Sequence, residues 1–320
     1  MPLDDRLRRR IKLHGLRVLQ ETIATGSMAK AARRLRMTQP AVSYAIKEME
    51  QTLGVALLDR GPQGVTPNAF GEALAQRSVA VFNELQQGLH DIAFLADPSA
   101  GEIRIGATPP MSALAGVAID RLIRRHPRMS FHLVVEPTVT LMHELRLRGI
   151  ELVVSRMAQP VAPEGTAAEI LFYDRLAVIA GKTNRWVGKR RLTLTDLMDG
   201  PWALPSHEGF LGPMIRAAFE AQGLAVPRPA VTTASSYTLA SLAAQGSFLT
   251  IHPETMLRVP TEHPLLTALP VALSNVTNPV GLLRLKDRAL SPVATLFAQE
   301  VRIAIKSFGL GRGRSMGRER

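Results

Sequence analysis

The N-terminal residues carry apolar positions at helical spacing in three short segments. In the first, Leu16, Leu19 and Ile23 fall at i, i+3 and i+7, and Gly26 is expected to end the helix. The second has apolar positions three and four apart, at Met28, Ala31, Ala32 and Leu35. A third helix is expected after Thr38, and its apolar positions are spaced 4, 3 and 4, at Val42, Ile46, Met49 and Leu53. Two short helices joined by a tight turn predict a helix-turn-helix.

The polar face of the third helix carries side chains that suit contact with DNA. Its outward positions are Gln39, Ser43, Tyr44 and Lys47. A glutamine can make a bidentate contact with adenine, and the other three can hold phosphates or base edges. Neighbouring caps and basic positions complete the predicted DNA-contact set, namely Ser27, Arg34, Thr38, Pro40 and Arg60. A helical hairpin with an ordinary solvated face is the alternative.

Turn residues and a long segment without proline follow the third helix. A turn-rich hairpin, or wing, is predicted by Gly61, Pro62, Gly64 and Pro67, and Asn68 can cap the helix after it. Residues 70–95 have apolar positions separated by 7, 4 and 7, at Leu74, Val81, Leu85 and Ile92. This spacing predicts one long helix with a pairing seam. Because Ser78 and Gly88 interrupt the seam, a lone amphipathic helix is the alternative.

The remainder of the chain alternates strand and helix patterns. The expected strands are EIRIGA, FHLVVE, ELVVS, RLAVIAG, WALP, AVTTA, FLTIHP and VGLLRL. Helical patterns occupy residues 114–125, 141–148, 212–222, 237–245 and 292–308. This alternation predicts an α/β fold with a parallel sheet.

Basic residues are concentrated at the N-terminal end of the chain. Residues 1–70 hold 12 Lys and Arg against 6 Asp and Glu. The charge of this segment, 12 − 6 = +6, is half of the net charge of +12. Such a segment favours a polyanion partner, because neutralising phosphates releases counterions, although a merely solvated basic surface is the alternative. The chain has no cysteine, which excludes disulfides and thiolate chemistry and is compatible with a reducing compartment.

The helix-turn-helix residues resemble the N-terminal signature of the LysR-type transcriptional regulators. That signature reads A-A-x-x-L-x-x-x-Q-P-A-V-S-x-x-I-x-x-L-E-x-x-L-G-x-x-L-F-x-R. The matching positions are Ala31, Ala32, Leu35, Gln39, Pro40, Ala41, Val42, Ser43, Ile46, Glu50, Leu53, Gly54, Leu57 and Arg60. Met49 and Leu58 stand where the family usually has Leu and Phe, and both exchanges are apolar. The resemblance covers nearly the whole chain.

The resemblance implies a domain organisation and a set of partners. It implies an N-terminal winged helix-turn-helix at 1–69, a long linker and dimerisation helix at 70–98, and a two-lobed periplasmic-binding-protein-like effector domain at 99–309. Lobe I would span about 99–172 and 275–309, lobe II would span about 173–274, and 310–320 would be a disordered, solvated basic tail. The implied partners are double-stranded promoter DNA, a small-molecule effector, further copies in a homodimer or homotetramer, and RNA polymerase if the protein is an activator.

Residues just past the predicted strands are candidates for effector binding, because open α/β sheets bind ligands beyond the carboxyl ends of their strands. They are Thr108, Pro109, Thr138, Ser206, Phe210, Ser235 and Ser236. The hydroxyls suit a carboxylate or a sugar, and SSYTLASLAAQG and LPSHEG resemble the family subgroup associated with aromatic-acid catabolism and sugar uptake. Phe248 is expected to line or crowd the cleft. Each hydroxyl can equally be a helix cap without a ligand.

Catalytic and metal-binding patterns are absent from the sequence. No H-E-x-x-H or phosphate-binding loop occurs, no G-x-S-x-G lies within the predicted strands and helices, and His207 beside Glu208 is better explained as a surface pair than as an acid/base pair. We therefore expect no enzyme activity, no metal and no cofactor. No signal peptide and no apolar run of about 18 residues occurs, which favours a cytoplasmic protein without membrane contact. The alternative from another class is a cytoplasmic solute-binding protein with a basic docking head.

Overall fold

The N-terminal helices pack largely as their apolar spacing predicts. The computed structural model describes residues 10–62, 64–259, 264–273 and 277–310. The head comprises α1 (Leu13–Thr25), α2 (Met28–Leu35), α3 (Gln39–Leu53) and an antiparallel hairpin of β1 (Leu58–Gly61) and β2 (Gly64–Pro67). Its core includes Leu16, Leu19, Met28, Ala31, Val42, Ile46 and Met49. On α1, Val18 and Thr22 are buried whereas Ile23 is half-buried, because α1 packs against both α2 and α3.

Side-chain caps define the turn between α2 and α3. The Thr38 hydroxyl accepts a hydrogen bond from the backbone N–H of Ala41 at 3.4 Å, and Pro40 occupies the first turn, where a missing N–H costs little. Arg36 ends α2 in the left-handed conformation, with φ of 55°. Gly54 ends α3 in the same conformation, where a glycine carries no steric cost. The turn is therefore tight, as the sequence predicts.

A single helix, α4 (Ala69–Ala96), follows the hairpin. The Asn68 carboxamide oxygen accepts hydrogen bonds from the N–H groups of Phe70 and Gly71, both at 3.0 Å, which confirms the predicted cap. Leu74 and Phe82 pack against the head core. From residue 81 on, five exposed apolar side chains form a stripe, which we call the α4 stripe: Val81, Leu85, Leu89, Ile92 and Leu95.

The chain beyond α4 forms an α/β fold, and the molecule consists of two structural units. One unit contains the residues up to Leu89 with Arg146–Gly149, and the other contains His90–Leu145 and the residues from Ile150 on. The strands are β3 (Ala100–Ala107), β4 (Arg128–Val135), β5 (Leu152–Arg156), β6 (Thr166–Gly181), β7 (Ala203–Leu204), β8 (Val231–Thr232), β9 (Leu249–Pro253), β10 (Leu266–Ala268) and β11 (Thr277–Leu285). The helices are α5 (Ser112–Arg125), α6 (Thr138–Arg146), α7 (Gly212–Glu220), α8 (Ser236–Ala244), α9 (Thr255–Arg258) and α10 (Pro292–Ser307).

The main sheet is mixed, so the prediction of a parallel sheet was wrong in part. β3 pairs in parallel with both β4 and β5, and β7 pairs in parallel with β8. β11 is antiparallel to β5 and β6, and β6 is antiparallel to β9 and β10. The strand–helix alternation predicts the parallel pairs because a helix returns the chain to the same edge of the sheet. It does not reveal that β6 and β11 run back through the sheet from distant parts of the chain.

The long strand β6 connects two separate cores. Its residues 166–175 pair with β11, and its residues 176–180 pair with β9. One core includes Ile105, Leu114 and Phe297, and the other includes Trp202, Phe219 and Ile251. We call these parts lobe I and lobe II. The predicted tail 310–320 begins one residue too early, because Leu310 is buried in the core of lobe I. Residues 311–320 and the predicted boundary at residue 275 lie outside the described residues.

Candidate DNA-binding face and ligand cleft

The third helix of the head presents its predicted polar residues on the side opposite its buried face. Gln39, Tyr44 and Lys47 are exposed, Tyr44 to 70%, and Ser43 is half-buried. The buried face carries Val42, Ile46 and Met49. The packing of these apolar side chains fixes the rotation of α3, because turning the helix would expose them. The polar side chains therefore project together from one face.

Several of the other predicted DNA contacts also have structural roles. The Ser27 hydroxyl caps α2 by accepting from the N–H of Lys30 at 3.4 Å, and Thr38 caps α3. Both hydroxyl groups keep their own O–H as a donor for a phosphate. Arg34 forms an ion pair with Glu21 at 2.9 Å, although its side chain stays 65% exposed.

The wing is attached to the helices by a backbone hydrogen bond. The N–H of Val65 donates to the carbonyl of Gly26 at 2.9 Å, and Gly64 allows this approach because a Cβ there would lie 2.4 Å from that carbonyl oxygen. The predicted wing residue Arg60 is exposed on β1, and Pro40 is exposed on α3. Further exposed basic side chains of the head are Lys30, Arg33, Arg34, Arg36 and Lys47. The head therefore offers a polar reading face surrounded by positive charge, which suits a nucleic-acid phosphate backbone.

A cleft of about 300 Å³ lies between lobe I and lobe II. Six of the residues predicted for effector binding line it: Thr108, Pro109, Thr138, Ser206, Phe210 and Ser236. The remaining lining residues are Pro110, Pro137, Arg156, Pro205, Gly209, Leu211, Ala234, Leu239 and His252. Most of this lining is apolar, with a few polar groups, as in small-molecule sites generally.

The floor of the cleft contains a buried ion pair. Nη2 of Arg156, at the end of β5, donates to Oδ2 of Asp174 on β6 at 2.8 Å, and both side chains are at most 5% exposed. Burial lowers the pKa of the Arg156 guanidinium, and the attraction of the Asp174 carboxylate offsets part of this effect. The other oxygen of Asp174, Oδ1, accepts from the backbone N–H of Thr255 at 3.3 Å. Arg156 remains charged, because an arginine is not deprotonated in a protein.

The polar groups around this ion pair differ in whether they have hydrogen-bond partners. The hydroxyl groups of Thr138 and Ser155 hydrogen bond to each other at 3.0 Å. Oγ1 of Thr108 is buried and has no hydrogen-bond partner among the described residues. A buried hydroxyl without a partner is costly, which is a reason to expect a ligand or water beside it.

The structure does not bring Ser235 and Phe248 into the cleft lining that the described residues form. The Ser235 hydroxyl caps α8 by accepting from the N–H of Thr238 at 3.2 Å. Phe248 is half-buried just before β9. Sequence reasoning missed Arg156, because the strand ELVVS was expected to end at Ser155. A cation directly after the uncharged segment 152–155 was the signal that could have identified it.

The described residues hold no arrangement that resembles a catalytic or metal centre. His207 and Glu208 are 77% and 85% exposed, and Nε2 of the histidine lies 3.9 Å from Oε1 of the glutamate. Within the same residues, no group of His, Asp and Glu side chains is placed to hold a metal ion. None of the helices described is long and apolar enough to span a membrane.

A head with a polar recognition helix, followed in the chain by a two-lobed α/β unit with a ligand cleft, is the organisation of a ligand-responsive DNA-binding regulator. Residues 13–72 match the family model for bacterial regulatory helix-turn-helix proteins of the lysR family. Residues 96–305 match the model for the LysR substrate binding domain. The chain belongs to the LysR family of transcriptional regulators. Its members regulate transcription and are not enzymes.

Relatives and solved structures agree with this assignment. The HTH-type transcriptional regulator GbpR of Azospirillum brasilense is 27% identical over 301 residues, which is 93% of this chain and 88% of that protein. The HTH-type transcriptional regulator PcaQ of Agrobacterium fabrum is 26% identical, over 92% of this chain and 95% of its own. Full-length CbnR, solved in complex with its target DNA, shares the fold with a TM-score of 0.66 and 18% identity, over 92% of this chain and 100% of its own. Full-length OxyR C199D from Pseudomonas aeruginosa has a TM-score of 0.63 and 18% identity, over 97% of this chain and 99% of its own.

Proposed function

We propose that this regulator reads its promoter through α3 and the wing, pairs through α4, and responds to a small molecule held between lobe I and lobe II. The homodimer assembles further into a homotetramer, and an activator of this kind recruits RNA polymerase. It acts in the cytoplasm, where promoter DNA is accessible. The effector is an aromatic acid or a sugar, in keeping with the hydroxyl groups around the cleft.

The orientation of α3 carries this proposal. A helix that is capped at Thr38 and held by Val42 and Ile46 presents Gln39 and Lys47 in a fixed direction. A glutamine at the start of a recognition helix is suited to adenine, and a lysine about two helical turns further on is suited to a phosphate. The solved complex of CbnR with its target DNA supports the proposal by showing that a protein of this fold binds DNA.

The test is a fluorescence-anisotropy titration of the purified protein against the DNA upstream of its own gene. Excess random DNA serves as competitor, and the titration is repeated at two salt concentrations. We expect the labelled fragment to be retained, with an affinity that falls steeply as salt rises, by a log–log slope of about −0.9 per phosphate neutralised. Equal loss to the competitor at both salts would contradict promoter recognition and favour a solute-binding protein with a basic head.

The α4 stripe leads to a prediction about assembly. Changing Leu85 and Leu89 to glutamate should abolish pairing through α4 and halve the mass of the assembly, because pairing would bury the added charges instead of apolar surface. The mass in solution, measured by light scattering after gel filtration, reports the change. Gln86→Glu is the matched control, since it adds a charge at an exposed position of α4 outside the stripe. An unchanged mass in the double variant would place the pairing surface elsewhere.

A further inference from the structure

The guanidinium of Arg156 uses little of its hydrogen-bonding capacity. It lines the cleft, and its one side-chain hydrogen bond to a described residue is the bond from Nη2 to Asp174. A guanidinium carries five N–H donors, so most of them are left for a group in the cleft. Both oxygens of Asp174 already accept hydrogen bonds, one from Arg156 and one from the N–H of Thr255. The ion pair therefore leaves an excess of donors at the cleft floor.

Other groups around the cleft add to this excess of donors. The hydroxyl of Thr108 is buried and has no partner among the described residues. The helices α6 and α8 begin at the cleft, at Thr138 and Ser236, and their first turns contain N–H groups without intrahelical partners. These groups surround the same space as Arg156 and favour a negatively charged ligand group.

Acceptors are scarce in the same lining. Among the described residues that line the cleft there is no Asp, Glu, Asn or Gln, and the side-chain acceptors are hydroxyl groups and the imidazole of His252. A sugar presents several hydroxyl donors that each need an acceptor, and a buried donor without one is costly. The walls instead offer apolar surface from Pro109, Phe210, Leu211 and Leu239. A volume of about 300 Å³ is at the small end for ligand sites and suits a molecule of about one ring.

We propose that the effector of the cleft is a small monocarboxylic acid with an apolar, ring-sized body, and that its carboxylate binds the unused N–H groups of Arg156. This rests on the proposed function and narrows it, because it selects the acid over the sugar. Asp174 neutralises Arg156 when the cleft is empty and competes with the carboxylate of the effector for the same cation. The ion pair therefore sets the affinity for the acid as well as holding β5 to β6.

The test compares matched acids and amides as probes of the full-length protein by calorimetry. The probe pairs are benzoate with benzamide, phenylacetate with phenylacetamide, and cyclohexanecarboxylate with its carboxamide, alongside glucose and galactose. The Kd ratio of each amide to its acid isolates the contribution of the carboxylate charge. We expect a ratio of at least about tenfold for one pair, since a buried charged hydrogen bond contributes at least that much. A ratio near one, no binding by any acid at millimolar concentration, or tighter binding by a sugar would overturn the proposal.

Variants of the ion pair locate the charge that is responsible. Asp174→Asn removes the competing carboxylate and should raise the Kd ratio of amide to acid by about tenfold or more. In the double variant Arg156→Met/Asp174→Leu the pair is replaced by apolar groups, which buried sites often tolerate, and the ratio should fall to near one. Arg302→Gln is the matched control, because it removes an arginine from an exposed ion pair with Glu169 outside the cleft lining. A Kd ratio that is unchanged in the double variant, or that falls to near one in the control, would contradict a role for Arg156.

The promoter titration on the same preparations separates this proposal from the proposed function. Promoter binding without any acid binding would overturn the effector class alone. Acid binding that depends on Arg156, with no promoter preference, would support the effector class and contradict promoter recognition.

Discussion

Replacing Gln39 and Ser43 together with alanine is expected to abolish site-specific DNA binding while leaving general DNA affinity. Gln39 is exposed at the start of α3, and the Ser43 hydroxyl, although half-buried, makes no hydrogen bond with the described residues. A bidentate base contact contributes about 1–3 kcal/mol of discrimination, so losing it together with the serine contact should weaken promoter affinity by about 100-fold. The contacts of Lys47 and the other basic side chains with phosphates are unchanged, so affinity for random DNA should stay the same. Competition anisotropy with promoter and random duplexes measures both affinities.

Two controls test whether this effect is specific to the polar face of α3. Gln51→Ala makes the same chemical change at an exposed position in the last turn of α3, and it should leave the promoter affinity unchanged. Lys47→Gln should weaken promoter and random DNA alike and reduce the salt slope by about 1. An equal loss in Gln51→Ala would indicate a general disturbance of α3. Unchanged promoter affinity in the double variant would show that the promoter is read elsewhere.

The head could be predicted in detail because its elements are local. Helix spacing, caps and turn residues each act within a few positions of the chain, so Thr38, Pro40 and Asn68 could be assigned their structural roles from the sequence alone. Ile23, predicted on the apolar stripe of the first helix, packs against the head core but is only half-buried, and its burial depends on how α1 divides its surface between α2 and α3. That division is a tertiary property and leaves no periodic signal.

The cleft was less predictable because its floor is assembled from distant segments. Arg156 and Asp174 lie 18 positions apart on β5 and β6, and the antiparallel strand β11 lies between these strands. In the sequence Arg156 resembles an ordinary surface charge after a strand, and its burial beside Asp174 depends on tertiary packing. The hydroxyls of Thr108 and Thr138 could be predicted because they follow strands directly, but the ion pair of Arg156 with Asp174 depends on the mixed sheet order.

Replacing Gly71 with alanine is expected to destabilise the head by about 3 kcal/mol or more, the upper end for forcing an added methyl group into a packed site. A Cβ at this position would lie 2.1 Å from the carbonyl oxygen of Leu57. That carbonyl accepts a hydrogen bond from the N–H of Asn68 at 3.1 Å, so it cannot withdraw without losing the bond that positions the first turn of α4. Hydrogen–deuterium exchange of α1, α2 and α3 should show protection lowered by about 100-fold, because their amides exchange through unfolding of the head.

A second glycine on the same helix provides the opposite expectation. A Cβ added at Gly88 would meet no atom within 4 Å, so Gly88→Ala should stabilise α4 by about 0.5–1 kcal/mol through its higher helix propensity. Both tryptophans, Trp186 and Trp202, are buried in lobe II, so their fluorescence during denaturation follows that lobe and should be the same in both variants. Increased exchange in the head for Gly71→Ala alone, with unchanged tryptophan unfolding, would locate the strain at the contact between α4 and Leu57. Equal exchange in the two variants would contradict this prediction. It would show that the wing and the start of α4 can move apart while the head stays folded.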